Sequence, residues 1–417
     1  MKYHPYESKS IRLPALFSIL LLFLIGSDWP GFQDLIPLPA GIRHIILMLG
    51  FFLLALLSSS KKIPRSYLLI FSAVTLWSAT SIVNASNGLI PYLIGWLFTY
   101  LFTFIFLCGY SFKASDREIL ITMKIIVFTI FLMSIPSFIL GLIQGGNIRD
   151  MPGGFRELGA FGLSMNIALI SSITLFFLGE GKKYAYIAFF FIVCISMTIL
   201  KKSIAEYMAI LLFSMMFLFE GRNSRSSIII IAVLMFPLIY AFLGSDIQTN
   251  ILENQEYFDR VGAEGHVRLG MYLASFNIAI SNFPFGGGYG SFGSLASISF
   301  TYSPLYFEYG IDLIGANSPL DVDNGFHTLL DTFWPHIIGE AGFIGSILYA
   351  LLYLFPIKIA LSRRHLSNFH KGYAFFVTSV IAVLFLDGLA LYTPEIPLFI
   401  LLSQGFSAIL CRRIRSA

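Results

Sequence analysis

Apolar runs of about 16 to 25 residues recur along the whole chain, and no other feature restricts its fold so tightly. A run of that length crosses about 30 Å of hydrocarbon as a helix, since a helix satisfies its own backbone polar groups inside lipid. Strands of a membrane barrel would alternate in polarity, and these runs do not. Charged residues make up 12% of the chain, about half of what a soluble protein carries. The pattern predicts an all-α, polytopic helical membrane protein forming one integral domain over residues 1–417. About twelve spans are expected: 13–27, 41–57, 67–85, 89–110, 119–143, 158–178, 184–200, 203–219, 226–243, 337–357, 372–390 and 396–411. The polar, basic start at Met1–Pro14 leads into the first run without a small-residue cleavage site, so an uncleaved first helix is expected. Cys108, Cys194 and Cys411 lie in apolar runs or at their ends and suggest neither a disulfide framework nor a metal site.

Basic residues set the orientation. With the N-terminus in the cytoplasm, 19 of the 27 Lys and Arg face inside. Seven face outside: Arg43, Arg149, Arg156, Lys201, Lys202, Arg260 and Arg268. Lys124 sits within a span near its inner end. Both termini are then cytoplasmic. One outer segment is long, Gly244–His336 between spans nine and ten, and it holds ten acidic and two basic residues. A structureless segment of that length is uncommon. Leu269, Leu273, Phe276 and Ile280 recur at helical spacing within it and predict an interfacial amphipathic helix over 268–282. Gly286, Gly287, Gly288 and Gly290 predict a tight turn after it.

The outer cations are informative because positive charge is disfavoured there. Arg268 has a plain reading, an ion pair with Glu264 or Asp259, and a sharper one, a guanidinium gripping phosphate oxygens. Lys201 and Lys202, at the short turn between spans seven and eight, either snorkel or bind an anion. Arg149 and Arg156 flank Met151-Pro-Gly-Gly154 and have the same two readings. His327 and Asp331 are four residues apart and would share one helix face, with His336 at the mouth of span ten. A carboxylate beside an imidazole can serve as a general base; its plain reading is a helix-start hydrogen bond. Glu340 lies within an apolar run, where an ionisable group is costly unless it has a purpose or a cation beside it. No zinc, calcium, phosphate-loop or Ser-His-Asp spacing is present, and no strand precedes the glycine run.

Three local patterns resemble the O-antigen polymerase and O-antigen ligase superfamily of bacterial envelope-glycan enzymes. The first is Arg268-Leu-Gly-Met-Tyr-Leu-Ala followed by Asn282-Phe-Pro-Phe-Gly-Gly-Gly-Tyr-Gly-Ser-Phe292. It is similar to the family's arginine helix and its Asn-Pro-x-x-Gly-x-Gly, with Phe283 inserted before Pro284. The second is Thr198-Ile-Leu-Lys-Lys-Ser-Ile204, standing where the family carries Ser-Arg-Gly. The third is Glu340-Ala-Gly-Phe-Ile-Gly345, like Glu-x-Gly-x-x-Gly. Its register puts Asp331-Thr332 where the family has His-Asn. Ser303-Pro-Leu-Tyr-Phe-Glu-Tyr-Gly310 and Asp331-Thr-Phe-Trp-Pro-His336 look like the polymerase branch.

The resemblance implies a glycosyltransferase of the C-type superfamily in the bacterial inner membrane, needing neither metal nor cofactor. It would join oligosaccharide repeat units carried on undecaprenyl diphosphate, at the periplasmic face. Donor and acceptor lipid-linked glycans, membrane lipid and a chain-length regulator are the implied partners, and nucleic acid is not. Arg268, Lys201, Lys202, Arg156 and Arg260 would hold the donor diphosphate, and Asp331, His327 and His336 the acceptor proton. Two alternatives stand beside it: a ligase passing glycan to lipid A–core, and a flippase or secondary transporter. A transporter would set its ionisable groups at the midplane, whereas Lys124, Glu206, Glu340 and Asp387 fall near predicted span ends.

Overall fold

The computed structural model describes residues 65–85, 87–111, 116–143, 158–197, 201–218, 267–314, 317–324, 329 and 333–387. Every regular element among them is helical. The long helices are α1 (Arg65–Ser81), α2 (Leu89–Ser111), α3 (Asp116–Ile143), α4 (Leu158–Phe177), α5 (Lys183–Met197) and α6 (Lys201–Leu218), then α7 (Val267–Ser281), α8 (Phe333–Arg363) and α9 (Asn368–Asp387). Eight of the predicted spans fall on α1–α6, α8 and α9; the spans at 13–27, 41–57, 226–243 and 396–411 lie outside the described residues. Four stretches are long and apolar enough to cross a membrane: Arg65–Asn84, Ile119–Ile143, Phe333–Leu366 and Asn368–Phe385. The chain is thus a helical membrane protein.

The bundle is organised around α4 and α9. Helix α4 packs on α3, α5, α6 and α9, and α9 packs on α6 and α8. Residues 161–172 of α4 and 372–381 of α9 are buried on all sides of each helix, and the next residues, Ile173 and Ala382, are partly buried. A helix apolar all round belongs inside a bundle. Close approach is set by small residues: a Cβ on Gly372 would stand 2.8 Å from Leu178 Cδ2. Helices α1 and α7 both pack on α8. Lys124 on α3 pairs with Glu180 at 2.5 Å, and both side chains are partly exposed. Such pairs contribute about 0–1 kcal/mol, so Lys124→Ala should shift unfolding stability by less than about 1 kcal/mol. Thermal melting of the purified variant checks this.

The amphipathic helix forms, at Val267–Ser281. Leu273, Phe276 and Ile280 are exposed, while Met271, Ala274, Ser275, Ile278 and Ala279 are buried. Small residues let α7 lie close on α8, as helices do where a greasy exterior offers no gain from burying leucine. After α7 the chain builds a small second core from Met271, Ile278, Phe292, Leu305, Tyr306, Ile311 and Ile314. Short helices at Ala296–Ser299, Pro304–Glu308 and Pro319–Asp323 lie in this segment, and the second of them supplies Leu305 and Tyr306. Asp321 is engaged there in a capping box with Ser318.

Candidate functional site: a glycine loop locked into a broken helix

Helix α8 is broken at Gly342, whose φ of 68° and ψ of 178° are not helical. A break there removes the N–H groups that would have bonded the carbonyls of the preceding turn, and buried carbonyls need partners. Three partners arrive from elsewhere. Gly287 N–H donates to Gly339 C=O at 2.8 Å, and Gly288 N–H donates to Glu340 C=O at 3.0 Å. Trp77 Nε1–H, from α1, donates to Ala341 C=O at 3.1 Å.

The glycines permit this. A Cβ on Gly286, at φ 73°, would strike Gly342 N and stand 2.7 Å from Gly339 O. A Cβ on Gly345 would stand 2.9 Å from Trp77 Nε1. The two glycine motifs, about fifty residues apart in sequence, therefore interlock main chain against main chain.

Helices α1 and α2 close the other side of the loop. Asn84 Nδ2 donates to Gly286 C=O and Asn87 Nδ2 to Gly290 C=O, both at 2.9 Å. Tyr289 OH lies 2.6 Å from Tyr100 OH and 3.2 Å from Ser78 Oγ. A Cβ on Gly290 would collide with Pro91 O, and one on Gly95 with Gly290 N.

Glu340 occupies the centre and is fully buried. Its Oε1 accepts from Phe292 N–H at 3.0 Å and from Ser294 Oγ–H at 2.7 Å. Its Oε2 lies 3.0 Å from His336 Nε2, one turn earlier on α8. The same Nε2 lies 3.2 Å from Thr99 Oγ1 on α2. Among the described residues the buried carboxylate is thus paired with an imidazole and the glycine loop rather than with a Lys or Arg. Nearby, Gly293 N–H donates to Tyr306 OH at 2.8 Å, and Ser297 Oγ is 2.6 Å from the same hydroxyl. Burial pushes the Tyr306 phenol up, and burial together with the charges of Asp312 and Asp321 pushes Tyr302 up. Both stay neutral hydroxyl groups, suited to hydrogen bonding.

The predicted site residues divide as follows. His336 lies in the first turn of α8, which starts at Phe333, so it belongs to the helix rather than to the loop before it. Arg268 is the second residue of α7. Lys201 and Lys202 open α6 instead of standing in a turn. Asp331, His327, Arg156 and Arg260 lie outside the described residues.

Arg268 and His336 belong to one end of the assembly. Met271, one turn past Arg268, has its Cε 3.3 Å from where a Gly293 Cβ would be, and His336 Cβ is 3.1 Å from that point. Thr99, Ser294, Trp77, Asn84 and Asn87 were not expected from the sequence; only Asn84 and Asn87, polar residues at the ends of apolar runs, carried a local signal. Among the described residues no group of three or more His, Cys, Asp or Glu is placed to hold a metal ion. No protein-family model matches the chain, and a comparison with curated proteins finds no match either.

Proposed function

We propose that this protein is a metal-independent glycosyltransferase that polymerises oligosaccharide repeat units carried on undecaprenyl diphosphate, at the periplasmic face of a bacterial inner membrane. The observation that carries the reading is the joining of the motif segments. The arginine helix, the glycine loop and the Glu-x-Gly-x-x-Gly turn, which bear the resemblance separately in sequence, pack into one unit around Glu340. Its full form is the twelve-span topology with both termini inside and residues 244–336 outside.

The chemistry asks for two things. A departing diphosphate needs positive charge where its own develops. Arg268, Lys201 and Lys202 each sit in the first turn of a helix, where main-chain N–H groups add to that field. The acceptor hydroxyl needs a base, which this reading seeks in the segment holding His327, Asp331 and His336. Tyr302 and Tyr309, both partly exposed, supply rings suited to neutral sugar, whereas Tyr306 is buried with its hydroxyl engaged. The test is transfer by the purified protein in the absence of divalent cations, read as glycan length on a gel. A single transfer that depends on lipid A–core would instead select the ligase. Against transport, Lys124 is paired near a span end with Glu180 and Glu340 is tied into the glycine loop.

A further inference from the structure

Helix α8 carries His336 at its start, and its far end leads through a short turn into α9, so α9 begins at the opposite end of the bundle. There the first turn of α9 meets the turn between α4 and α5. A Cβ on Gly372 would stand 2.8 Å from Leu178 Cδ2 and 3.6 Å from Phe177 Cβ, and Lys371 Nζ lies 6.0 Å from the centre of the Phe177 ring. The α4–α5 turn is locked by its own main chain. Glu180 N–H donates to Leu175 C=O and Gly179 N–H to Phe176 C=O, both at 3.0 Å, with Gly179 at φ 79°, which is the geometry of a glycine helix stop. The locked turn holds Lys182 and Lys183 at a fixed place, and both are exposed. Its carboxylate, Glu180, is paired with Lys124, and neither Lys182 nor Lys183 has an acidic partner among the described residues.

These cations stand at the rim of an apolar ledge. Tyr186 follows Lys182 by four residues and Phe189 follows Tyr186 by three, so all three share one face of α5. The two rings are 75% and 66% exposed. An acidic protein or a soluble anion would match the charge and leave the rings uncovered. A phospholipid matches both, with phosphate at the rim and chains on the ledge, and basic clusters at the ends of spans attract anionic headgroups. We propose that this ledge binds an anionic phospholipid, with its phosphate at Lys182 and Lys183 beside Lys371 and its chains along Tyr186 and Phe189. The bound lipid ties the α4–α5 turn to α9 and so stabilises the two helices at the centre of the bundle. The inference does not depend on the transferase reading.

The experiment titrates phosphatidylglycerol into full-length protein in a neutral detergent, counts bound lipid by native mass spectrometry and follows the melting temperature. Phosphatidylcholine and glycerol phosphate serve as comparisons. Phosphatidylglycerol should bind ahead of phosphatidylcholine and raise the melting temperature, and glycerol phosphate should not displace it. The double variant Lys182→Gln, Lys183→Gln should bind about thirtyfold more weakly, which is about 2 kcal/mol at about 1 kcal/mol per lysine. The double variant Lys182→Arg, Lys183→Arg should keep the affinity. Arg65→Gln, which removes an exposed cation from the start of α1, should leave it unchanged. If the glutamine variant fails to insert, the unaltered protein still answers: its affinity should fall as salt rises from about 0.1 M to about 1 M, where the Debye length shrinks from about 10 Å to about 3 Å.

Equal affinity for phosphatidylcholine, undiminished affinity in the glutamine double variant, an equal loss in Arg65→Gln, or affinity independent of salt would each overturn the proposal. So would displacement by glycerol phosphate at equal concentration, which would make the ligand a soluble phosphate. A dimer that buries Tyr186 would give the ledge to a second copy of the chain and overturn it too.

Discussion

Arg268→Ala is expected to abolish transfer while the protein still inserts and folds. Arg268 is the second residue of α7, so it stands in a helix turn whose N–H groups already favour an anion. The buried face of α7, Met271, Ala274, Ser275 and Ile278, lies further along the helix. One turn separates Arg268 from Met271, which shares the surroundings of Gly293 with His336. Loss of one fixed stabiliser of developing charge costs about 10²–10³-fold in rate, and more when the charge is a diphosphate. Arg268→Lys should recover only part, since an ammonium cannot form the two-pronged contact. Rates from matched amounts of monodisperse protein check both variants. Full activity in Arg268→Ala would remove the donor-site assignment.

Gly286→Ala should be strongly damaging to stability. Its Cβ would meet main chain on every side: Gly342 N, Gly339 O at 2.7 Å and Glu340 O at 2.8 Å. Main chain cannot swing aside as a flexible side chain does. Relief requires giving up the bonds from Gly287 and Gly288 to the carbonyls of Gly339 and Glu340. Two buried carbonyls left without partners cost about 1–3 kcal/mol each, and the positive φ adds about 1–2 kcal/mol. A loss of at least about 3 kcal/mol is expected, a large share of the stability of most proteins. Gly310 gives the contrast. Its φ is +66°, but no atom lies within 4 Å of its would-be Cβ. Gly310→Ala should therefore cost only the backbone term, about 1–2 kcal/mol. Equal melting temperatures for the two variants would contradict the interlock.

The apolar runs made the bundle legible, because a span is a local property of about twenty residues. The runs at 119–143 and 158–178 fall closely on α3 and α4. Glu340 stood out for the same local reason, as an ionisable group in an apolar run. What holds Glu340 was not legible. Phe292 and Ser294 reach it across nearly fifty residues, and Trp77 reaches the same broken turn across 264. Periodicity carries no record of such pairing. The break at Gly342 was hidden too, since glycine within an apolar run reads as small-residue packing until its carbonyls are seen to be claimed by another segment. The buried face of α7 was not legible, because small residues such as Ala274, Ser275 and Ala279 carry no apolar periodicity. The capping box Ser318-Pro-Leu-Asp321 was readable from its spacing.

Glycan polymerisation is tested most directly by reconstituting the purified protein with its lipid-linked repeat unit, with all divalent metal chelated, and resolving the products on a gel. The account predicts a ladder of lengths spaced by one repeat unit, growing with time and absent for Arg268→Ala. No transfer to any acceptor, from protein that is folded and inserted, would contradict it.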